Sequence, residues 1–418
     1  MKRIRDRLKD FFYEDSGYLD WIRRLTGLWL IYLMPFQIYV YYKSGNFGPY
    51  HVPSWRFAKT FLNFPEVPGN ISIALWVLYF FGCLALILGL PSRLIPALLL
   101  LFWFYCQCNE FAAFLSSPAI LLALFLAAFC IYRKPRSLSR FLIKFSLSAC
   151  YVFAALHKFH PEFLAGFTLY DMFGRGFQLR PELAPFVTSL HLPFQLLQAL
   201  SLLVIVVELF IGIALWFARS RIYAVVLGLL MHLTFTFFIS DIEVFLFVCA
   251  SAYLAFFDPP GQKRFKRLSF ASPFYEALIA FALALLVLLM PGRFFLMDRY
   301  AYENLTLFDR APWSFAVYLY HQDVTELQAA YHEAGKSWQV VPTERRMRSC
   351  SSDNDMLALL YYLEAEHPQA DAISIRTILR INSRKQVCKI LRYFPESKRI
   401  YWYFESRDGL RLRKKREN

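Results

Sequence analysis

The stretch Leu202-Leu-Val-Ile-Val-Val-Glu-Leu-Phe-Ile211 places a single carboxylate, Glu208, inside an apolar run that covers residues 193–217. A helix needs about 20 apolar residues to cross the hydrocarbon core of a bilayer, and this run is long enough. Of the 418 residues, 57% are hydrophobic and only 18% are charged, whereas about a quarter of a soluble domain is charged. The sequence therefore predicts a membrane protein.

Similar runs recur through the first part of the chain. They predict an all-α polytopic bundle of about nine spans over residues 1–296, at 21–42, 71–90, 93–109, 117–132, 141–157, 193–217, 221–239, 241–257 and 274–296.

Basic residues between the runs cluster in alternate loops, for example at 133–140 and 219–221. Under the positive-inside rule these loops and the N-terminus face the cytoplasm, and the chain after the ninth run lies outside the cell (inner) membrane. The basic run 411–416 would itself prefer the cytoplasm, but long domains translocate largely regardless of charge. Because the net charge of +15 is accounted for in this way, membrane lipid is an expected partner and nucleic acid is not.

Residues 297–418 are predicted to form a small α+β domain outside the membrane. Strands are expected at 313–321, 372–379 and 399–404 from their content of β-forming residues. A helix over 353–366 is expected from the spacing of Met356, Leu357, Leu360 and Leu363. Cys350 and Cys388 are candidates for a disulfide in an oxidising compartment.

Ionisable residues deep in apolar runs are costly and usually pair or act. Glu208 and His232 each lie roughly 16–18 Å from the turn that joins their runs, at 1.5 Å per helical residue. We expect them to share a polar pocket; the alternative is that each bonds separately to a carbonyl or hydroxyl group. Arg23 is expected either to extend to the interface as a basic flank or to turn inward to a carboxylate or an anionic group.

Lys158 ends an apolar run in the stretch Tyr151-Val-Phe-Ala-Ala-Leu-His-Lys-Phe-His-Pro-Glu-Phe-Leu-Ala-Gly166. Burial against Phe163 would favour the neutral amine, which can act as a base, with His157 and His160 as polar neighbours. The structural alternative is a lysine that simply reaches the interface. The histidine spacing matches no metal motif, and hydrolase and nucleotide-binding motifs are missing from the sequence.

Four patches, in chain order, resemble the horizontally transferred transmembrane (HTTM) family, whose best-known member is the vitamin K-dependent γ-carboxylase. They are Leu19-Asp-Trp-Ile-Arg-Arg-Leu-Thr-Gly27, residues 157–166, residues 207–210, and His232 with residues 245–259. The resemblance implies a membrane enzyme, a lyase or oxidoreductase, that uses a reduced quinone similar to vitamin K hydroquinone. It also implies a peptide or a small molecule as the candidate substrate, modified at the outer membrane face.

Carried over by position, the resemblance makes Lys158 the base and gives His160 and His232 catalytic roles. It assigns cofactor binding to His157, Phe163, Glu208 and Arg23. The chain is much shorter than the carboxylase, and Phe163 stands where the family has a tryptophan. Two alternatives therefore stay open: a non-catalytic membrane partner for peptide or toxin maturation or export, and a transporter.

Overall fold

The computed structural model describes residues 14–15, 17–43, 69–90, 92–109, 117–132, 136–159, 161–176, 179–239, 243–258, 322–341, 356, 359–360, 363–364, 366–381, 385–406 and 409–417. Helices dominate up to residue 258. They are α1 (Leu19–Lys43), α2 (Gly69–Ile87), α3 (Leu94–Asn109), α4 (Ser117–Cys130), α5 (Leu138–His157), α6 (Pro161–Leu164), α7 (Phe167–Leu169), α8 (Ala184–Ser189), α9 (Phe194–Ala214), α10 (Arg221–Phe238) and α11 (Glu243–Tyr253). A π-helix over Tyr170–Gly174 follows α7, and a 3-10 turn over Leu254–Phe256 follows α11.

Three described helices, α5, α9 and α10, are long and apolar enough to cross a membrane. Shorter apolar segments occupy Ile73–Ile87, Leu94–Tyr105, Pro118–Cys130 and Glu243–Phe256. The prediction of a mainly helical chain with membrane-type helices is confirmed, whereas the count of nine spans is not. The ninth predicted span, 274–296, lies outside the described residues.

Helix α4 forms the centre of the bundle. Every residue from Ala119 to Phe129 is buried, and α4 packs against α1, α3, α5 and α11. A helix that is apolar on all sides is typical of a position enclosed by other helices.

Helices α1 and α2 meet backbone to backbone at Gly27. A Cβ atom at this position would lie 2.7 Å from the carbonyl oxygen of Cys83. Only glycine permits this approach, which fixes how closely the two helices pack.

One end of the bundle gathers arginines on the C-terminal carbonyls of helices. Arg23 donates to the carbonyl of Gly89, just past α2, at 2.8 Å, and Arg93 donates to Tyr132, just past α4, at 3.0 Å. The last carbonyls of a helix lack partners within the helix and carry its negative dipole end. A guanidinium group therefore donates the missing hydrogen bonds to these carbonyls and places a positive charge at the negative end of the helix dipole.

The same arrangement continues where α9 and α11 end. Past α11, Arg140 donates to the carbonyls of Ala255 at 2.6 Å and Phe257 at 2.7 Å, and Arg221 donates to Phe256 at 2.6 Å. Past α9, Arg221 also donates to the carbonyl of Leu215 at 3.2 Å. We call this end, defined by Arg23, Arg93, Arg140 and Arg221, the basic end. It also holds a two-stranded pairing of β1 (Glu14–Asp15) with β2 (Arg136–Ser137).

The C-terminal part contains a six-stranded antiparallel sheet in the order β4-β3-β5-β6-β7-β8. The strands are β3 (Gln322–His332), β4 (Gln339–Val341), β5 (Ala372–Ile381), β6 (Lys385–Phe394), β7 (Arg399–Ser406) and β8 (Gly409–Glu417). Helical residues within the predicted helix cover one face of the sheet, and those buried in its core are Met356, Leu359, Leu360 and Leu363.

The strands predicted at 372–379 and 399–404 are confirmed as β5 and β7. The strand predicted at 313–321 and the cysteine at position 350 lie outside the described residues. Strands β3, β4, β6 and β8 were not predicted from the sequence, and the basic run 411–416 lies in β8.

Candidate functional site

A buried ion pair joins Lys158 to Glu208. The Lys158 Nζ lies 2.8 Å from Oε1 and 2.9 Å from Oε2 of Glu208, and the two residues are 3% and 5% exposed. Lys158 directly follows α5, and side chains lean toward the N-terminus of a helix. Its stem therefore turns back into the bundle, where Nζ also lies 3.4 Å from the carbonyl oxygen of Ala154.

Apolar side chains enclose the pair. The Phe163 ring lies 5.9 Å from Lys158 Nζ, and Phe163 is buried with Ala155 and Ile205 in one small cluster. Removing two charges from water is costly, and mutual attraction offsets that cost only when the geometry is good. The two short contacts to one carboxylate meet this condition.

Close packing of α5 on α9 brings the pair together. A Cβ atom at Gly212 of α9 would lie 2.7 Å from Val152 and 3.0 Å from the carbonyl oxygen of Ser148, both on α5. Later residues of α5 face earlier residues of α9, so the helices are antiparallel. Lys158 therefore reaches Glu208 in the interior of α9.

A second buried polar group lies where α5, α10 and α11 meet. The Tyr151 hydroxyl is 2.6 Å from His232 Nε2 and 2.5 Å from the Tyr253 hydroxyl. Gly228 makes room for this chain, because a Cβ atom there would lie 2.0 Å from the Tyr253 hydroxyl oxygen. We call Tyr151, His232 and Tyr253 the phenol–imidazole chain.

Glu208 and His232 were expected to share a polar pocket, and among the described residues they do not bond to each other. Glu208 bonds to Lys158 and His232 bonds to Tyr151. Both partners, Lys158 and Tyr151, belong to the stretch 151–158 in and just after α5. The expectation rested only on the depths of Glu208 and His232 in their own two helices, so it did not include partners from a third helix. His232 bonds to a hydroxyl group, as the second alternative has it, whereas Glu208 bonds to an ammonium group, which neither alternative named.

Tyr151 and Tyr253 were not among the site residues predicted from the sequence. The available signal was a hydroxyl-bearing ring inside an apolar run, since a buried tyrosine usually finds a partner for its hydroxyl group. That signal does not identify the partner of the hydroxyl group, because the partner depends on which helices lie next to each other in the fold.

The remaining predicted residues lie elsewhere or form different contacts. His157 bonds through Nδ1 to the carbonyl of Phe153, one turn back in its own helix, at 2.6 Å. Arg23 turns inward, but to Gly89 at the basic end, with Asp20 at 3.9 Å, and it does not join Lys158. His160 lies outside the described residues.

An apolar groove of about 440 Å³ opens between α1 and α2. Its lining residues are Met34, Ile38, Ile73, Trp76, Val77, Phe80 and Phe81. Neither the ion pair nor the phenol–imidazole chain lines it. Within the described part of the chain, His, Cys, Asp and Glu do not gather in a group that could hold a metal ion.

The chemistry open to these groups is proton transfer. The Lys158 ammonium can pass a proton to the Glu208 carboxylate over a single hydrogen bond, which converts two charges into two neutral groups. The phenol–imidazole chain links two hydroxyl groups and an imidazole ring, all of which can both donate and accept.

Comparison with family models, curated proteins and solved structures finds no match to this chain. The resemblance to the HTTM family therefore stays a prediction drawn from the residues themselves.

Proposed function

We propose that this chain is a multi-pass protein of the cell (inner) membrane that resembles the HTTM family and acts on a lipid-soluble substrate by removing a proton. The observation that carries the proposal is the Lys158–Glu208 ion pair, enclosed by apolar side chains inside the most apolar candidate span. Ionisable residues inside a membrane cost free energy, and their presence there indicates a functional site.

The contacts at the basic end support the proposed topology. Arg23, Arg93, Arg140 and Arg221 all lie at that end, as a cytoplasmic face requires under the positive-inside rule. About nine spans, a cytoplasmic N-terminus and an extracytoplasmic sheet domain follow from the proposal. Lys158 then lies toward the outer half of the bundle.

The site residues fit a reduced quinone in their chemistry, because an amine and a carboxylate stand beside the aromatic ring of Phe163. Such a cofactor, when bound, would supply an acidic hydroxyl group attached to an apolar aromatic ring. Glu208 takes the proton of the Lys158 ammonium, and the neutral amine can then accept a proton at Nζ. Phe163 and Ile205 keep water from the pair, so the pair as a whole, and not the lysine alone, acts as the base.

The test compares a variant that removes the charge of Lys158 alone with a variant that removes the charges of both Lys158 and Glu208. Lys158→Met alone leaves the carboxylate buried without its partner, whereas Lys158→Met with Glu208→Met removes both charges. We expect both variants to lose the oxidation of vitamin K hydroquinone by dissolved oxygen in aerated membrane vesicles, a reaction that starts from the deprotonated hydroquinone and is measured by absorbance. The double variant, checked for correct insertion, separates loss of the base from loss of the fold.

Two results would contradict the proposal. One is unchanged oxidation in a correctly folded double variant. The other is a wild-type protein that does not act on this hydroquinone, which would exclude the cofactor.

One observation favours a non-catalytic role as a membrane partner in peptide maturation or export. Both oxygens of Glu208 already bond to Lys158, so the pair can serve to hold α5 on α9. This role predicts that the double methionine variant supports peptide maturation or export as well as the wild type does.

A further inference from the structure

His232 has one ring nitrogen that the phenol–imidazole chain does not use. The residue is 1% exposed, and its Nδ1 has no hydrogen-bond partner among the described residues. Buried polar atoms in folded proteins are almost always bonded to protein, water or ligand. This nitrogen therefore points to a bound group.

The direction of the chain identifies Nδ1 as a donor. If Tyr253 donates to Tyr151 and Tyr151 donates to His232 Nε2, both hydroxyl hydrogens are bonded and the ring proton sits on Nδ1. The opposite direction leaves the Tyr253 hydroxyl hydrogen and Nδ1 both unmet. Each direction leaves one buried hydrogen unmet, but the opposite direction also leaves Nδ1 as an unmet acceptor. The first direction is favoured because every unmet buried polar atom is costly.

Thr236 supplies a second polar atom on the same face of α10. Its Oγ1 is buried and likewise has no partner among the residues that the structure describes. Threonine in a helix commonly donates to the carbonyl four residues earlier, and Thr234 does so, to Leu230 at 2.8 Å. Thr236 does not, so its hydroxyl group is available to another partner.

The two residues lie one helical turn apart on α10, which allows their side chains to share one oxygen. Residues four apart on a helix are separated by about 6 Å along its axis, and a hydrogen bond spans about 3 Å. One oxygen between them can accept from His232 Nδ1 and bond to Thr236 Oγ1. The carbonyl of Thr236 accepts from Arg180 Nε at 3.0 Å, and Arg180 pairs with Glu243, which places the site beneath these two residues at the end opposite the basic end.

We propose that His232 Nδ1 and Thr236 Oγ1 bind a neutral oxygen, that of a water molecule or of a lipid-soluble alcohol or ketone. The binding groups themselves are uncharged, and Arg180 already has a carboxylate partner, which disfavours an anion. This site does not depend on Lys158 or on the proposed reaction.

The test is a cryo-EM structure of the full chain in lipid nanodiscs, at a resolution that shows ordered water, with and without decanol. Density between the two atoms without additive identifies water, and density extended along an alkyl chain only with decanol identifies a lipid-soluble ligand. Either result supports the site. Ordered His232 and Thr236 side chains with no density between them in both maps would overturn it.

Matched variants on one helix sharpen the result. Thr236→Val should abolish the density, whereas Thr236→Ser and Thr234→Val should keep it. As a second measurement, the ¹⁵N chemical shift of His232 Nδ1 should change in Thr236→Val and stay at the wild-type value in Thr234→Val. Equal shifts in both valine variants would show that Thr236 takes no part.

Discussion

The basic end and the interior of the bundle use charge in different ways. At the basic end, arginines bind backbone carbonyls where helices finish, and Arg140 also pairs with Asp258. In the interior, Lys158 and Glu208 bind each other across two helices, and each satisfies the other. The difference teaches that the arginines at helix ends are bonded largely to the backbone, which a side-chain substitution does not remove, whereas Lys158 and Glu208 each depend on the other's side chain.

The largest expected effect comes from removing one member of the interior pair. Lys158→Met leaves Glu208 buried and unpaired, which should lower the free energy of unfolding by about 3–5 kcal/mol. Adding Glu208→Met should restore most of that loss, since an apolar pair of similar size replaces the ions. Unfolding of both variants in mixed micelles, followed by circular dichroism, measures the difference. If the double variant is as unstable as the single one, the two residues are not coupled as described.

An intermediate effect is expected in the phenol–imidazole chain. Gly228→Ala would place a methyl group against the Tyr253 hydroxyl, and such overpacking typically costs about 1–3 kcal/mol. Tyr253→Phe added to Gly228→Ala removes the clashing oxygen and should recover part of the stability. The unfolding midpoints of the two variants provide the comparison. A fully tolerated alanine would mean that α10 and α11 lie farther apart.

The smallest effect is expected at the basic end, where two neighbouring arginines form a natural control. Arg23 is buried and donates to Gly89, whereas Arg24 is exposed with its guanidinium group over Trp21. Arg23→Ala should cost roughly 1.5 kcal/mol, the lower value for a hydrogen bond from a charged group. Arg24→Ala should cost less, because exposed cation–π contacts contribute about 0.5–1 kcal/mol. Thermal unfolding in the same micelles ranks the two, and the reverse order would contradict the capping role of Arg23.

Much of the local structure could be predicted from the sequence because it depends on nearby residues. Apolar runs near 200 and 225 form α9 and α10, and β-forming residues near 375 and 400 form β5 and β7. The partner of Glu208 could not be predicted from such patterns. It depends on how α5 packs against α9, which Gly212 permits through a contact distant in sequence.

Two of the strands that were not predicted, β6 and β8, have a similar cause. Lys385–Phe394 and Gly409–Glu417 are rich in Lys and Arg, and their content of charge obscures the alternation expected of a strand. Pairing with β5 and β7 holds them in the sheet. Tertiary pairing therefore decided their conformation where local preference was weak.

The contact at Gly27 has a mechanical consequence for the groove between α1 and α2. The helices touch at Gly27 and Cys83, and the groove opens farther along the same pair, beside Met34 and Val77. The two helices are therefore in contact at Gly27 and leave a groove between them farther along. A methyl group added at Gly27 would push the two helices apart at their contact. It would thereby change the width of the groove, although Gly27 is not one of the residues that line it.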